Sequence, residues 1–198
     1  MSNLTEKTIQ TPTFQVHCLQ NSQGQKQDIL LLHGAKFSSK TWQELETLET
    51  LINSGYRIHA LDMPGFGNSP KCEAKPKEVL QGVIQQEGLD RPVLVGPSLG
   101  GAYALSLYFA APGLVSGLVL VGTVGVDTFR DRIKEIAVPT LLIWGGQDTV
   151  SPLDNAHFLQ KQIPNSRLVI LEGARHPCYL DQPERWHQEL VGFLDNLE

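Results

Sequence analysis

Pro92-Val93-Leu94-Val95-Gly96-Pro97-Ser98-Leu99-Gly100-Gly101 is the stretch on which the reading of this chain turns. A short apolar run, Pro92 to Val95, leads through a glycine to a serine. The Ala- and Leu-rich segment from Leu99 to Ala111 follows and stops at Pro112. A brief apolar run bounded by turn residues reads as a buried strand, and the segment after it as a helix. The turn between them is too sharp for ordinary backbone, so the serine at its apex is held in a strained conformation. Gly96 and Gly100, flanking that serine, remove the side chains that would collide where strand and helix meet. As a bare string, Gly-x-Ser-x-Gly is weak; placed between a strand and a helix it presents a serine hydroxyl at the end of a sheet.

Outward from this turn the same alternation repeats. Apolar runs occur at Phe14 to Leu19, Ile29 to Leu32, Tyr56 to Leu61, Leu118 to Val121, Thr140 to Trp144 and Arg167 to Leu171. Most are continuous, which suits strands covered on both faces. Between them lie helical patterns. Ser38 or Ser39 begins one whose apolar residues Trp42, Leu45, Leu48, Leu51 and Ile52 share a face, with Gly55 placed to end it. A second, around Pro76 to Glu87, is interrupted by Gly82. Ser151 and Pro152 open a third that runs to about Gln162, and Pro183 opens a fourth with Trp186, Leu190, Phe193, Leu194 and Leu197 as its stripe. The expectation is an α/β fold, a mainly parallel sheet of about seven strands with helices on both faces, in one domain over residues 1–198. In such sheets chemistry sits at the carboxyl ends of the strands.

Composition narrows the function. The chain has 198 residues, 41% hydrophobic and 19% charged, and no apolar run approaches the ~20 residues of a membrane span. Met1 to Gln10 has neither the basic start nor the apolar centre of a secretory signal. Cys18, Cys72 and Cys178 are widely spaced, with no CxxC, so free thiols in a reducing cytoplasm are expected. The formal charge is −5 and the cations are scattered, which argues against nucleic acid as a partner. No metal or organic cofactor is called for, and neither a membrane nor a protein partner is indicated.

A serine hydroxyl is a poor nucleophile near neutral pH; it needs a base within hydrogen-bond reach and a third group to orient that base. Asp148, just past the run Thr140 to Trp144, and His176, just past Arg167 to Leu171, fall at the same sheet edge as Ser98. Their order is nucleophile, acid, base. Asp127, after the run Leu118 to Val121, is the rival acid; Asp154 falls inside a helix. His33, His59, His17, His157 and His187 lie in or beside strands and helices and read as packing or surface residues. The oxyanion formed on attack needs preorganised donors. Leu99 N–H, at the start of a helix, is one. Ala35 N–H, in His33-Gly34-Ala35 after the run Ile29 to Leu32, is the other.

Leu32-His33-Gly34, Asp62-Met63-Pro64-Gly65-Phe66-Gly67-Asn68-Ser69, the turn at Ser98, Gly145-Gly146-Gln147-Asp148 and Gly173-Ala174-Arg175-His176 together resemble the α/β-hydrolase superfamily. His33 to Ser39 with Thr41-Trp42, and His176-Pro177-Cys178-Tyr179-Leu180-Asp181 with Pro183-Glu184, are similar to its small α/β-hydrolase-domain-containing protein 14 group. The resemblance implies hydrolysis of small acyl esters or transfer of a short acyl group, with a small-molecule acyl compound as substrate. Only Gly122 to Pro139 separates two strands where many relatives insert a helical cap, so the expected site has no cap domain and is open and shallow. Such a site excludes water poorly and favours small or carrier-borne acyl groups. Lys36 and Arg175 flank its mouth, and Phe37, Trp144 and Tyr179 are candidates for its walls. The alternative is a hydrolase scaffold kept for ligand or protein binding.

Overall fold

The turn at Ser98 sits in the middle of a sheet. The computed structural model describes residues 4–21 and 23–197. Eight strands are present among them: β1 (Thr5–Gln10), β2 (Gln15–Asn21), β3 (Asp28–Leu31), β4 (Arg57–Leu61), β5 (Val93–Pro97), β6 (Gly117–Val121), β7 (Thr140–Gly145) and β8 (Ser166–Leu171). They form one sheet in the order β1-β2-β4-β3-β5-β6-β7-β8. β1 and β2 pair antiparallel, as do β2 and β4; every pair from β4 to β8 is parallel.

The strand not expected from sequence is β1. Only Ile9 of its six residues is buried, because it is an edge strand open to water, so it lacks the apolar run that marks the others.

Successive residues of the central strands enter opposite cores. Leu30, Leu94, Leu118, Leu120 and Leu142 face one core with α3 (Pro76–Glu87), α4 (Leu99–Ala110) and α5 (Leu153–Gln162). Ile29, Leu31, Val93, Val95, Val119, Val121, Leu141 and Ile143 face the other, with α1 (Ser39–Glu44), α2 (Thr47–Asn53), α6 (Cys178–Asp181) and α7 (Pro183–Leu194). Both faces are covered, which is why these strands read as unbroken apolar runs.

Two helix expectations change. The single helix expected from Ser38 to Gly55 is two, broken at Glu46, whose φ is 62°. Tertiary ties on each side of the break override the continuous pattern: the Trp42 indole N–H donates to Leu32 O, and Thr47 Oγ1 accepts the Trp186 indole N–H. At α5 the N-cap position belongs to Pro152 rather than Ser151, whose hydroxyl donates instead to Thr123 O at 2.7 Å. Gly82 does not break α3; a Cβ there would stand 2.7 Å from the Phe14 ring, so the glycine admits that ring. Between β6 and β7 there is only the 3₁₀ segment Val126–Glu135, and no cap domain covers the carboxyl ends of the strands. No helix among the described residues is long and apolar enough to cross a membrane.

Candidate active site

Ser98 joins β5 to α4 with φ 51° and ψ −114°, a conformation that L-residues avoid. It is held there from both sides. Its N–H donates to Val121 O at 2.8 Å, and its carbonyl accepts the N–H groups of Gly101 at 3.1 Å and Val124 at 3.3 Å. A Cβ on Gly96 would lie 2.5 Å from the Gly100 carbonyl carbon, so this crossing closes only without a side chain there.

The loops after β7 and β8 bring Asp148 and His176 to this serine. His176 Nε2 is 2.8 Å from Ser98 Oγ, and His176 Nδ1 is 2.8 Å from Asp148 Oδ2. A carboxylate only accepts, so Nδ1 carries the proton and Nε2 is free to accept from the Ser98 hydroxyl. Asp148 Oδ1 accepts the N–H groups of Val150 and Ser151, both at 2.8 Å, which holds the carboxylate in plane for His176. The Asp148 side chain is fully buried and that of His176 is 18% exposed. Asp127, by contrast, is an exposed residue paired with Arg130 at 3.1 Å, and Asp154 is exposed on α5. The structure places Asp148, not either rival, against His176.

Sequence reasoning passed over Gly122. Its φ is 50°, and a Cβ there would lie 3.0 Å from Asp148 Oδ2 and 3.2 Å from His176 Nδ1. The glycine after β6 is therefore the floor on which the Asp148–His176 bond rests.

Neither proposed oxyanion donor is engaged elsewhere: Leu99 N–H stands at the first turn of α4, and Ala35 N–H has no partner among the described residues. Ala35 is positioned by a buried histidine. His33 Nδ1–H donates to Gly34 O at 2.8 Å, and its Nε2 accepts Met63 N–H at 3.0 Å. Gly34 C=O and Ala35 N–H belong to one planar trans peptide and point in opposite directions, so anchoring the first aims the second. Both ring contacts require a neutral imidazole, and burial lowers the His33 pKa, outweighing the Gly34 carbonyl and the Asp62 charge that pull it up. Asp62 ties the neighbouring loop down, its Oδ1 accepting Ser39 N–H at 2.6 Å and its Oδ2 accepting Asn68 N–H at 2.8 Å.

Ser98, His176, Ala35, Phe37, Val150 and Tyr179 line a pocket of about 430 Å³. α6 and the loop after β3 supply its walls on either side of the serine. Of the candidates for those walls, Phe37 and Tyr179 line the pocket; Trp144 does not, being buried on the α5 side with its indole N–H on Ser151 O. Lys36 lines the mouth, whereas the Arg175 guanidinium is paired with Asp181 at 2.6 Å. Cys178 is buried and its thiol is pushed up to about 12 by that burial, which removes it as a nucleophile. A second groove, of about 730 Å³, lies at the amino ends of β7 and β8 beside the Arg167–Glu189 pair, on the opposite edge of the sheet from Ser98. No three His, Cys, Asp or Glu side chains converge as a metal site among the described residues.

The family model described as alpha/beta hydrolase fold matches residues 29–134 and 126–183 of the chain. The human protein ABHD14B, a candidate protein-lysine deacylase by its name, is 40% identical over 178 residues, covering 86% of this chain and 84% of the human one. Among solved structures, a predicted CIB-like hydrolase from Thermoplasma acidophilum superimposes with a TM-score of 0.93 at 30% identity, covering 98% of each chain. An esterase from Exiguobacterium antarcticum shares the fold with a TM-score of 0.85 at 21% identity, over 96% of this chain and all of that one.

Proposed function

The chain belongs to the alpha/beta hydrolase fold family, and from that premise we propose that it is a serine hydrolase, an esterase or acyl-transferring deacylase that works on small or carrier-borne acyl groups through an acyl-serine. One observation carries the reading: the unbroken relay from Ser98 Oγ through His176 to Asp148, with both links at 2.8 Å. In the first half-reaction Ser98 Oγ attacks the acyl carbon as its proton passes to His176 Nε2. Asp148 stabilises the imidazolium, and the amides of Leu99 and Ala35 receive the oxyanion. Collapse of the tetrahedral species breaks the bond to the alcohol or amine, which leaves with the proton from His176. In the second half-reaction the acceptor gives its proton to His176 and takes the acyl group, restoring Ser98.

The substrate range follows from the walls. The pocket is uncapped, so the acyl compound can be part of a larger molecule whose remainder stays in solvent. The name borne by the human relative adds acylated lysine side chains to the substrates worth testing. The three cysteines are free, which fits the cytoplasm as the proposed compartment.

Labelling with a fluorophosphonate probe and a panel of acyl esters and acyl-lysine peptides tests the proposal. Labelling should vanish in Ser98→Ala, with turnover falling by about 10⁶. Asp148→Asn should lower turnover by about 10⁴ while Asp127→Asn leaves it unchanged. Labelling or turnover that survives Ser98→Ala would overturn the assignment.

A further inference from the structure

The pocket contains a buried polar group for which the reaction above has no use. Tyr179, on α6, lines the pocket with Ser98 and His176 yet is only 2% exposed. Its ring is clamped between aromatic neighbours, with centroids 5.3 Å from Trp42, 6.0 Å from Trp186 and 6.3 Å from Phe37. It has no room to swing into solvent.

The other buried aromatic tips nearby are satisfied. Trp42 Nε1 donates to Leu32 O at 3.0 Å, Trp186 Nε1 to Thr47 Oγ1 at 3.2 Å and Trp144 Nε1 to Ser151 O at 3.0 Å. The Tyr179 hydroxyl makes no hydrogen bond among the described residues, and it is not one of the polar atoms sealed off inside the protein. The trace of surface that Tyr179 keeps opens on the pocket it lines. A buried hydroxyl without a partner is costly, and phenylalanine would fill the same space at no such cost. Burial raises the Tyr179 pKa, so the group is a neutral donor at working pH. Around it the pocket is apolar, through Phe37, Val150 and Pro177, and the one cation, Lys36, is an exposed residue. A single neutral donor in apolar walls matches a neutral acceptor; a charge brought there would lose its water for one hydrogen bond.

We propose that the Tyr179 hydroxyl is a substrate-recognition group. It donates a hydrogen bond to a neutral oxygen carried by the acyl compound, an ether, carbonyl or amide oxygen a few bonds from the reacting carbonyl. The site thereby prefers such compounds over their hydrocarbon counterparts. The inference rests on Ser98 being the nucleophile of this pocket.

Two pairs of esters, each differing by one CH₂-for-oxygen exchange, test it against Tyr179→Phe, which keeps the ring. Aryl butyrate against aryl methoxyacetate places the oxygen on the acyl side; butyl acetate against 2-methoxyethyl acetate places it on the alcohol side. The quantity read is the ether-to-hydrocarbon ratio of kcat/KM in the parent divided by that in the variant, in which the intrinsic reactivity of the esters cancels. At least about fivefold is expected for one pair. The pair that responds identifies the side of the substrate that meets Tyr179. A quotient of one for both pairs overturns the inference while Ser98-dependent turnover leaves the hydrolase reading standing; turnover that persists in Ser98→Ala overturns both. Should the variant fail to fold, the parent's own ether preference, corrected by the alkaline hydrolysis rates of the same esters, is decisive, and its absence overturns the inference.

Discussion

A single methyl group at residue 122 would press on the Asp148–His176 pair. Gly122 lies flush beneath that pair, and the Cβ of an alanine there would be 3.0 Å from Asp148 Oδ2 and 3.3 Å from His176 Cε1. The residue also has φ 50°, where a Cβ costs about 1 kcal/mol. Two effects follow from one substitution and they are separable. Gly122→Ala should lower stability by about 1 kcal/mol and turnover by at least about tenfold, because rotating His176 off Ser98 Oγ lengthens the proton's path. Thermal melting and kcat, measured on the same preparation, check this. A variant with the stability loss alone would show that the imidazole tolerates the displacement. The same scale explains the different fates of the two acids: Asp148 has three hydrogen-bond partners inside the protein, whereas Asp127 has one surface arginine.

Elements supply what single residues cannot, namely rigid edges that aim loops. β3 ends at Leu31, and the chain beyond it is held by His33, which links the Gly34 carbonyl to the Met63 amide beyond β4. This link depends on His33 staying neutral, and burial lowers its pKa in the folded protein. A group of lowered folded pKa contributes stability that is present above its unfolded value, about 6.5 for histidine, and is lost as the pH falls toward and through the folded one. His187, half-buried against Thr47 where α2 meets α7, is shifted the same way by desolvation. Stability should therefore drop between about pH 7.5 and about pH 5.5, and drop less in His33→Asn than in the parent. Melting temperatures at the two pH values read this directly. Asparagine keeps a donor for Gly34 O but has no acceptor for Met63 N–H; glutamine has the converse geometry. If anchoring the Gly34 carbonyl is what aims Ala35 N–H, His33→Asn retains more kcat than His33→Gln.

Across the whole molecule the sheet divides two cores, and the one behind the pocket is closed by an aromatic stack. Trp42 and Trp186 lie 5.8 Å apart, and Tyr179 leans on both. Trp186→Ala should cost about 3 to 5 kcal/mol by denaturant melting and loosen Tyr179 as well, since α7 would lose its contact with α1. Much of this architecture is legible in the chain itself. The apolar runs, the strand-turn-helix at Ser98 and the order Ser98, Asp148, His176 follow from periodicity and turn chemistry, which operate over a few residues; the absence of a cap follows from the short Gly122 to Pro139 segment once the family resemblance is in hand. The edge strand β1 was not legible, because one paired side and a wet face leave no apolar run. Nor was the break at Glu46, where contacts to Leu32 and Trp186 outweigh a continuous helical stripe. The partner of His176, the floor at Gly122 and the unpartnered hydroxyl of Tyr179 were settled only by the tertiary structure. Each depends on groups from separate strands and helices meeting within a few ångströms, and distance of that kind is set by the packing of the sheet and its layers rather than by local pattern.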